Sequence, residues 1–167
     1  GGRLGVFRAA ANGDLGPGVY VVKRPNVTAD GLARTLLGRE AIVARESASP
    51  HLLTVLAATS MGDAAESVLP YYEGVSISRL QIAWKKSPPA IQLVLSIARQ
   101  IASALAALHA AGWLHGQVTA RHAIVSPQQH ATLIDLTGCR RLASQECDAA
   151  WPTPLPAVAS PELFAAH

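Results

Sequence analysis

Apolar positions open the chain in two short runs, residues 4–9 and 18–23, both rich in β-branched and aromatic side chains. The stretch between them, Asn12-Gly13-Asp14-Leu15-Gly16-Pro17-Gly18, is dense in turn formers, so the three parts predict an antiparallel hairpin with a long loop. Leu32, Leu36, Leu37, Ile42 and Val43 then recur at roughly helical spacing behind a capping Asp30, and predict a helix that ends near Ser47-Ala48-Ser49-Pro50. Residues 52–58 and 67–72 read as two further strands on either side of the polar Ser60-Met61-Gly62-Asp63 turn.

The strongest periodicity follows Ser87-Pro88-Pro89. Ile91, Val94, Leu95, Ala98, Ile101, Leu105 and Leu108 lie on one face of a long amphipathic helix stopped by Gly112. Ala123-Ile124-Val125 and Ala131-Thr132-Leu133-Ile134 flank Ser126-Pro127-Gln128-Gln129 as a small hairpin. From Ser144 onward, Pro152, Pro154, Pro156 and Pro161 predict an extended loop.

Half of the 167 residues are hydrophobic and 15% are charged, which is the composition of a chain that folds around a core. The formal charge of +3 is scattered rather than gathered into the basic stripe of a nucleic-acid binder, so no nucleic-acid partner is expected. Cys139 and Cys147 make no disulfide framework, and a reducing, cytoplasmic setting is the simpler expectation. Arg99 and Gln100 interrupt the longest apolar stretch, so no membrane contact is expected of this segment. The chain opens Gly1-Gly2 without an initiator Met or a charged leader, and reads as a piece of a longer protein. The intervals between His109, His115, His122 and His130 match no common zinc-ligand spacing.

The order of elements and the residues at their joints resemble the protein kinase family, in its bacterial serine/threonine form. Gly2-Arg3-Leu4-Gly5-Val6-Phe7 is similar to the end of the family's glycine-rich loop, and Val21-Val22-Lys23 to the strand whose lysine reaches the nucleotide phosphates. Glu40 is the candidate partner of Lys23, with Glu46 the weaker competitor. Val68-Leu69-Pro70-Tyr71-Tyr72-Glu73-Gly74 resembles the hinge. His115-Gly116-Gln117 through His122, followed by Asp135-Leu136-Thr137, is similar in spacing to H-R-D-x-x-x-x-N and D-F-G, and Ser160-Pro161-Glu162 to A-P-E.

The resemblance implies a two-lobed α+β protein kinase fold: an N-lobe antiparallel sheet with one helix over residues 1–69, a hinge at 70–74, and a truncated helical C-lobe over 75–167. It implies ATP as ligand, with Gly2, Gly5, Phe7, Val21, Lys23, Leu69, Pro70, Tyr72, Ile124 and Asp135 around it and Phe7 over the adenine. Asp135 would hold one Mg²⁺; imidazole is a poor ligand for that hard cation, so His122 makes the second metal position a weak one. Gln117 stands where the family has the aspartate that accepts the substrate's proton, and its amide has no basic lone pair near neutral pH. Thr137 in place of the motif's glycine restricts the backbone there, and Gly116 removes the arginine that would read a phosphorylated activation segment. The expected function is that of a pseudokinase: a nucleotide-binding regulatory module for a protein partner, with weak or no phosphotransfer. The alternatives are an active serine/threonine kinase with an atypical catalytic loop and, further off, a small-molecule phosphotransferase.

Overall fold

The computed structural model describes residues 3–13, 16–27, 30–59 and 65–142. The expectations for Gly2, the 60–63 turn, Cys147, the proline-rich tail and Ser160-Pro161-Glu162 lie outside the described residues.

Strands β1 (Leu4–Gly13) and β2 (Gly16–Pro25) pair antiparallel from Leu4↔Pro25 to Gly13↔Gly16. The strands therefore run through residues expected to form a long loop. Gly16, at φ +84°, takes the left-handed conformation that glycine adopts at no steric cost. Helix α1 (Gly31–Glu46) begins where Asp30 accepts the Ala33 N–H at 3.0 Å, as its capping chemistry predicts, and ends at Ser47. Strands β3 (Ala57–Thr59) and β4 (Glu66–Pro70) complete a four-stranded sheet of order β1-β2-β4-β3.

The expected strand over 52–58 is mostly not a strand. Leu52 and Leu53 leave the sheet and dock on the far part of the chain: Leu53 N–H donates to the Leu133 carbonyl and Leu133 N–H to the His51 carbonyl, each at 2.8 Å. Their burial explains the departure, since Leu52 and Leu53 are 2% and 4% exposed within a core that also holds Val43, Leu69, Leu108, Trp113 and Leu133. One apolar core thus joins α1 and the first sheet to the elements that follow.

After β5 (Val75–Ser76), helix α2 (Ile77–Trp84) was not read from the sequence. Its apolar contacts, Ile77, Leu80 and Trp84, fall at helical spacing but over only two turns. Helix α3 (Ile91–Ala110) forms where it is expected and Gly112 at φ +77° ends it, but the face it buries is Ile97, Gln100, Ala104 and Leu108; of the expected face only Leu108 is buried, while Ile91, Val94, Leu95 and Ala98 are exposed. By length and composition α3 is apolar enough to cross a membrane, with mean hydropathy 1.6, which corrects the expectation that Arg99 and Gln100 exclude this. Gln100 fixes the hairpin turn against the helix, its side chain accepting the Ala131 N–H at 2.8 Å and donating to the Gln129 carbonyl at 3.0 Å. Ile91 and Leu95 on α3 and Ile82 on α2 remain more than half exposed.

That hairpin is β7 (Ala123–Val125) with β8 (Ala131–Leu133), joined by β5 in a three-stranded sheet of order β5-β7-β8. Strand β6 (Trp113–Leu114) pairs with β9 (Arg140–Arg141), and a single 3₁₀ turn (Leu136–Gly138) lies between β8 and β9. The whole is an α+β arrangement with a cleft between the first sheet and the β7-β8 hairpin.

Candidate nucleotide site

Lys23 stands near the end of β2, opposite Val6 on β1 and Ser67 on β4. Helix α1 passes beside the sheet and presents Glu40, whose Oε1 accepts the Lys23 ammonium at 2.6 Å. The same ammonium lies 3.5 Å from Asp135 Oδ1, so residues separated by more than a hundred positions converge on one cation. Glu40 is fully buried and also accepts the Leu136 N–H at 3.2 Å, which ties α1 to the turn after Asp135.

Burial alone would lower the Lys23 pKa, but the fields of Glu40 and Asp135 outweigh it and hold the ammonium above its ordinary value. Burial pushes the Glu40 carboxyl up, against the pull of Lys23. These directions oppose each other; two donors on one oxygen favour the ionised pair, and that is the state we assign. Burial would also raise Asp135, yet Lys23 and the Thr137 hydroxyl, which donates to Oδ1 at 2.7 Å, hold it below the usual carboxylate value. Asp135 adopts φ +67°, a left-handed conformation that short polar residues tolerate better than most. Thr137, expected to stiffen this turn, holds the carboxylate of Asp135 in place through that hydroxyl.

His122 stands just before β7. Its Nδ1 is 2.8 Å from the Gln117 carbonyl oxygen and its Nε2 is 3.4 Å from Asp135 Oδ2. Gln117 lies in the loop after β6 with its side chain against Gly138, where an added Cβ would come within 3.1 Å of Gln117 Oε1. His115 is buried beneath the loop: its Nδ1 accepts the Gln117 N–H at 3.3 Å, so Nε2 carries the hydrogen and donates to the Ile134 carbonyl. Burial pushes its pKa down to about 4, and it is a neutral structural ring. The Cys139 thiol, raised by burial to about 12, is inert.

These groups form one end of a cavity of about 270 Å³. Val6, Val21, Leu53, Leu69, Ile124 and Ile134 supply apolar walls, while Lys23, His122 and Asp135 close the polar end. Pro70, Tyr71 and Tyr72 border the opposite end. Tyr71 N–H is taken by the Val19 carbonyl at 3.3 Å, and among the described residues nothing takes up the Tyr72 N–H. A cavity with apolar walls, bordered by Pro70, Tyr71 and Tyr72 and carrying an ammonium beside a carboxylate, suits a nucleoside phosphate.

The structure corrects two assignments around this cavity. Phe7, expected over the adenine, is on the opposite face of β1, with the Arg24 guanidinium 4.4 Å from its ring centre. Strand side chains alternate, and because Val6 pairs with Lys23 it is Val6 that faces the cleft. Gly5 makes room for that displaced ring, since a Cβ there would lie 2.6 Å from Phe7 Cε2. Glu46 does not compete for Lys23: it accepts the Trp113 indole N–H at 3.0 Å and pairs with Arg141 at 2.8 Å, fastening the end of α1 to the β6-β9 ribbon. Leu53, Tyr71 and Ile134 were missed as lining residues because nothing local marks which apolar side chain turns toward a cleft.

A family model described as protein tyrosine and serine/threonine kinase matches residues 5–165. No curated protein matches the chain.

Proposed function

Because this chain belongs to the protein tyrosine and serine/threonine kinase family, we propose that it is a pseudokinase that binds ATP and regulates a protein partner, with little or no phosphotransfer. The observation that carries this reading is the Lys23 ammonium held between Glu40 and Asp135, beside a loop whose base position is Gln117. The first part is a phosphate-binding arrangement; the second lacks a proton acceptor. General-base assistance contributes typically about 10² to 10⁴ in rate.

The residues suit the nucleotide better than they suit two Mg²⁺ ions. Asp135 would offer a carboxylate oxygen to one metal, which would offset phosphate charge, whereas His122 offers nitrogen. Lys23 orients the phosphates, Glu40 keeps Lys23 in position, and the Tyr72 N–H supplies a donor for the base. We place the protein in a reducing, cytoplasmic compartment on its sparse cysteines.

A second reading, an active kinase with an atypical loop, is favoured by the assembled Lys23–Glu40 pair at 2.6 Å. Phosphoryl transfer depends largely on positioning and charge stabilisation, so the pair keeps that reading alive. Mg²⁺-ATP binding and phosphate transfer, measured on the parent and on Gln117→Asp, separate the two. The pseudokinase reading expects binding without transfer in the parent and transfer gained on restoring the carboxylate. Robust transfer by the parent that vanishes in Lys23→Met would overturn it.

A further inference from the structure

Helix α1 is held to the far part of the chain at two points. The inner one is Glu40, whose Oε1 takes the Lys23 ammonium and the Leu136 N–H. The outer one is Glu46, the last residue of the helix, whose Oε2 takes the Trp113 indole N–H at 3.0 Å and the Arg141 guanidinium at 2.8 Å.

The outer point closes on itself. Trp113 and Arg141 are cross-strand partners in the β6-β9 ribbon, and the guanidinium lies over the indole, 4.0 Å from the ring centre. The other arm of the guanidinium donates to the Ala111 carbonyl at 3.4 Å. Trp113 is buried, so its N–H needs a partner inside the protein, and Glu46 is that partner. The indole N–H and the guanidinium hold the Glu46 carboxyl below its ordinary value, against the opposing effect of burial, so it is ionised.

Six positions along a helix span about 9 Å. A helix held by directional bonds at one point pivots about it; held at two, separated along its axis, it keeps its orientation. The apolar packing of Leu36, Leu37 and Val43 adds adhesion, but burial is non-directional and does not fix that angle. With Glu46 released, the end of α1 can swing away from the ribbon and draw Glu40 from Lys23 and Leu136.

We propose that Glu46, Trp113 and Arg141 form a latch that positions Glu40 on Lys23 and Leu136, so that the nucleotide site stands assembled before its ligand arrives and loosens when the latch opens. Arg141 and Glu46 are partly exposed, at 49% and 34%, and pairs of this exposure contribute modestly, so the latch biases the position of α1 rather than locking it. In regard to the nucleotide the inference rests on the reading proposed above; in regard to α1 it does not.

Amide hydrogen exchange reads the latch through Leu136, whose N–H is protected by Glu40 itself. Ala131, whose N–H is held by the Gln100 side chain on α3, is the internal standard. Exchange is measured on the parent, Arg141→Ala, Glu46→Ala and the double variant, each with and without Mg²⁺-ATP. Leu136 should exchange about fivefold faster in Arg141→Ala, and faster again in Glu46→Ala, which removes the oxygen that both donors share. The double variant should be no faster than Glu46→Ala, and Ala131 should be unaffected throughout. Mg²⁺-ATP favours the assembled site and should return protection to Leu136 in all three variants. Unchanged Leu136 exchange in Glu46→Ala overturns the latch. Equal acceleration of Leu136 and Ala131 does so too, because it marks a general loss of stability, as does a double variant whose rate is the product of the two single effects. Arg141→Ala, at a half-exposed side chain, carries the test if the loss of Glu46 unfolds the protein. Faster Leu136 exchange that Mg²⁺-ATP does not reverse upholds the latch and counts against the nucleotide reading. Mg²⁺-ATP binding with Leu136 exchange untouched by every substitution does the reverse.

Discussion

Oε1 of Glu40 accepts the backbone N–H of Leu136 at 3.2 Å, across 96 positions of chain, on the same oxygen that takes the Lys23 ammonium. Removing that carboxylate leaves a buried cation with Asp135 as its remaining counter-charge and strips the Leu136 N–H of its acceptor. Glu40→Ala should lower unfolding stability by about 3 kcal/mol or more, read from the urea midpoint at constant slope. Unchanged stability would mean that the pair is not formed in solution.

Gly138 is buried against the Gln117 side chain, and a Cβ there would sit 3.0 Å from Gln117 Cγ. Gly138→Ala should destabilise by about 1 to 2 kcal/mol. The Gln117→Ala background should recover most of this loss, because the clash is with a side chain that the second substitution removes. The coupling is measured by a double-mutant cycle, and an energy near zero would place Gln117 elsewhere.

At Gly74 the obstacle is backbone. Its φ is +139° and an added Cβ would collide with the Val125 carbonyl. Gly74→Ala should cost at least about 2 kcal/mol, with no single side-chain deletion restoring it. Thermal unfolding of Gly74→Ala and Gly138→Ala, each beside a truncation at its contact, tests this contrast.

His115 gives the pH dependence a sign. Burial, its largest influence, lowers its folded pKa from 6.5 to about 4. Between those values the unfolded chain binds a proton that the folded chain does not. The contribution is complete above the unfolded pKa and is lost as pH falls through the folded one. This ring should account for about 3 kcal/mol of the stability lost on acidification. Urea unfolding from pH 7 to 4 should be distinctly shallower in His115→Gln; identical slopes would contradict the assignment.

Much of the architecture is written locally. Asp30 marks the start of α1 by its own side chain. The 3.6-residue periodicity from Ile91 and the Gly112 stop delimit α3, and apolar triplets around a Ser-Pro turn mark the β7-β8 hairpin. These signals depend on neighbours a few positions away. The kinase resemblance rested on the spacing of such joints, and the family match covers it.

Residues whose role depends on distant partners were harder to read. Val6 and Phe7 are both apolar and adjacent, and only pairing with β2 decides which one enters the cleft. Leu52 and Leu53 have strand-like side chains but gain more burial against Leu133 than a sheet edge offers. Glu46 looked like a rival of Glu40 until Trp113 and Arg141 arrived from the other side of the molecule.

The order of the elements and the chemical types available to the site, an ammonium, two carboxylates, an amide and an imidazole, were set by the sequence itself. Tertiary structure decided which atoms meet: Lys23 between Glu40 and Asp135, and His122 Nε2 toward Oδ2. The physical reason is range. Capping, periodicity and turn chemistry act over a few residues, whereas hydrogen bonds and ion pairs depend on distances within a few ångströms, which strand register and core packing set between positions far apart in the chain.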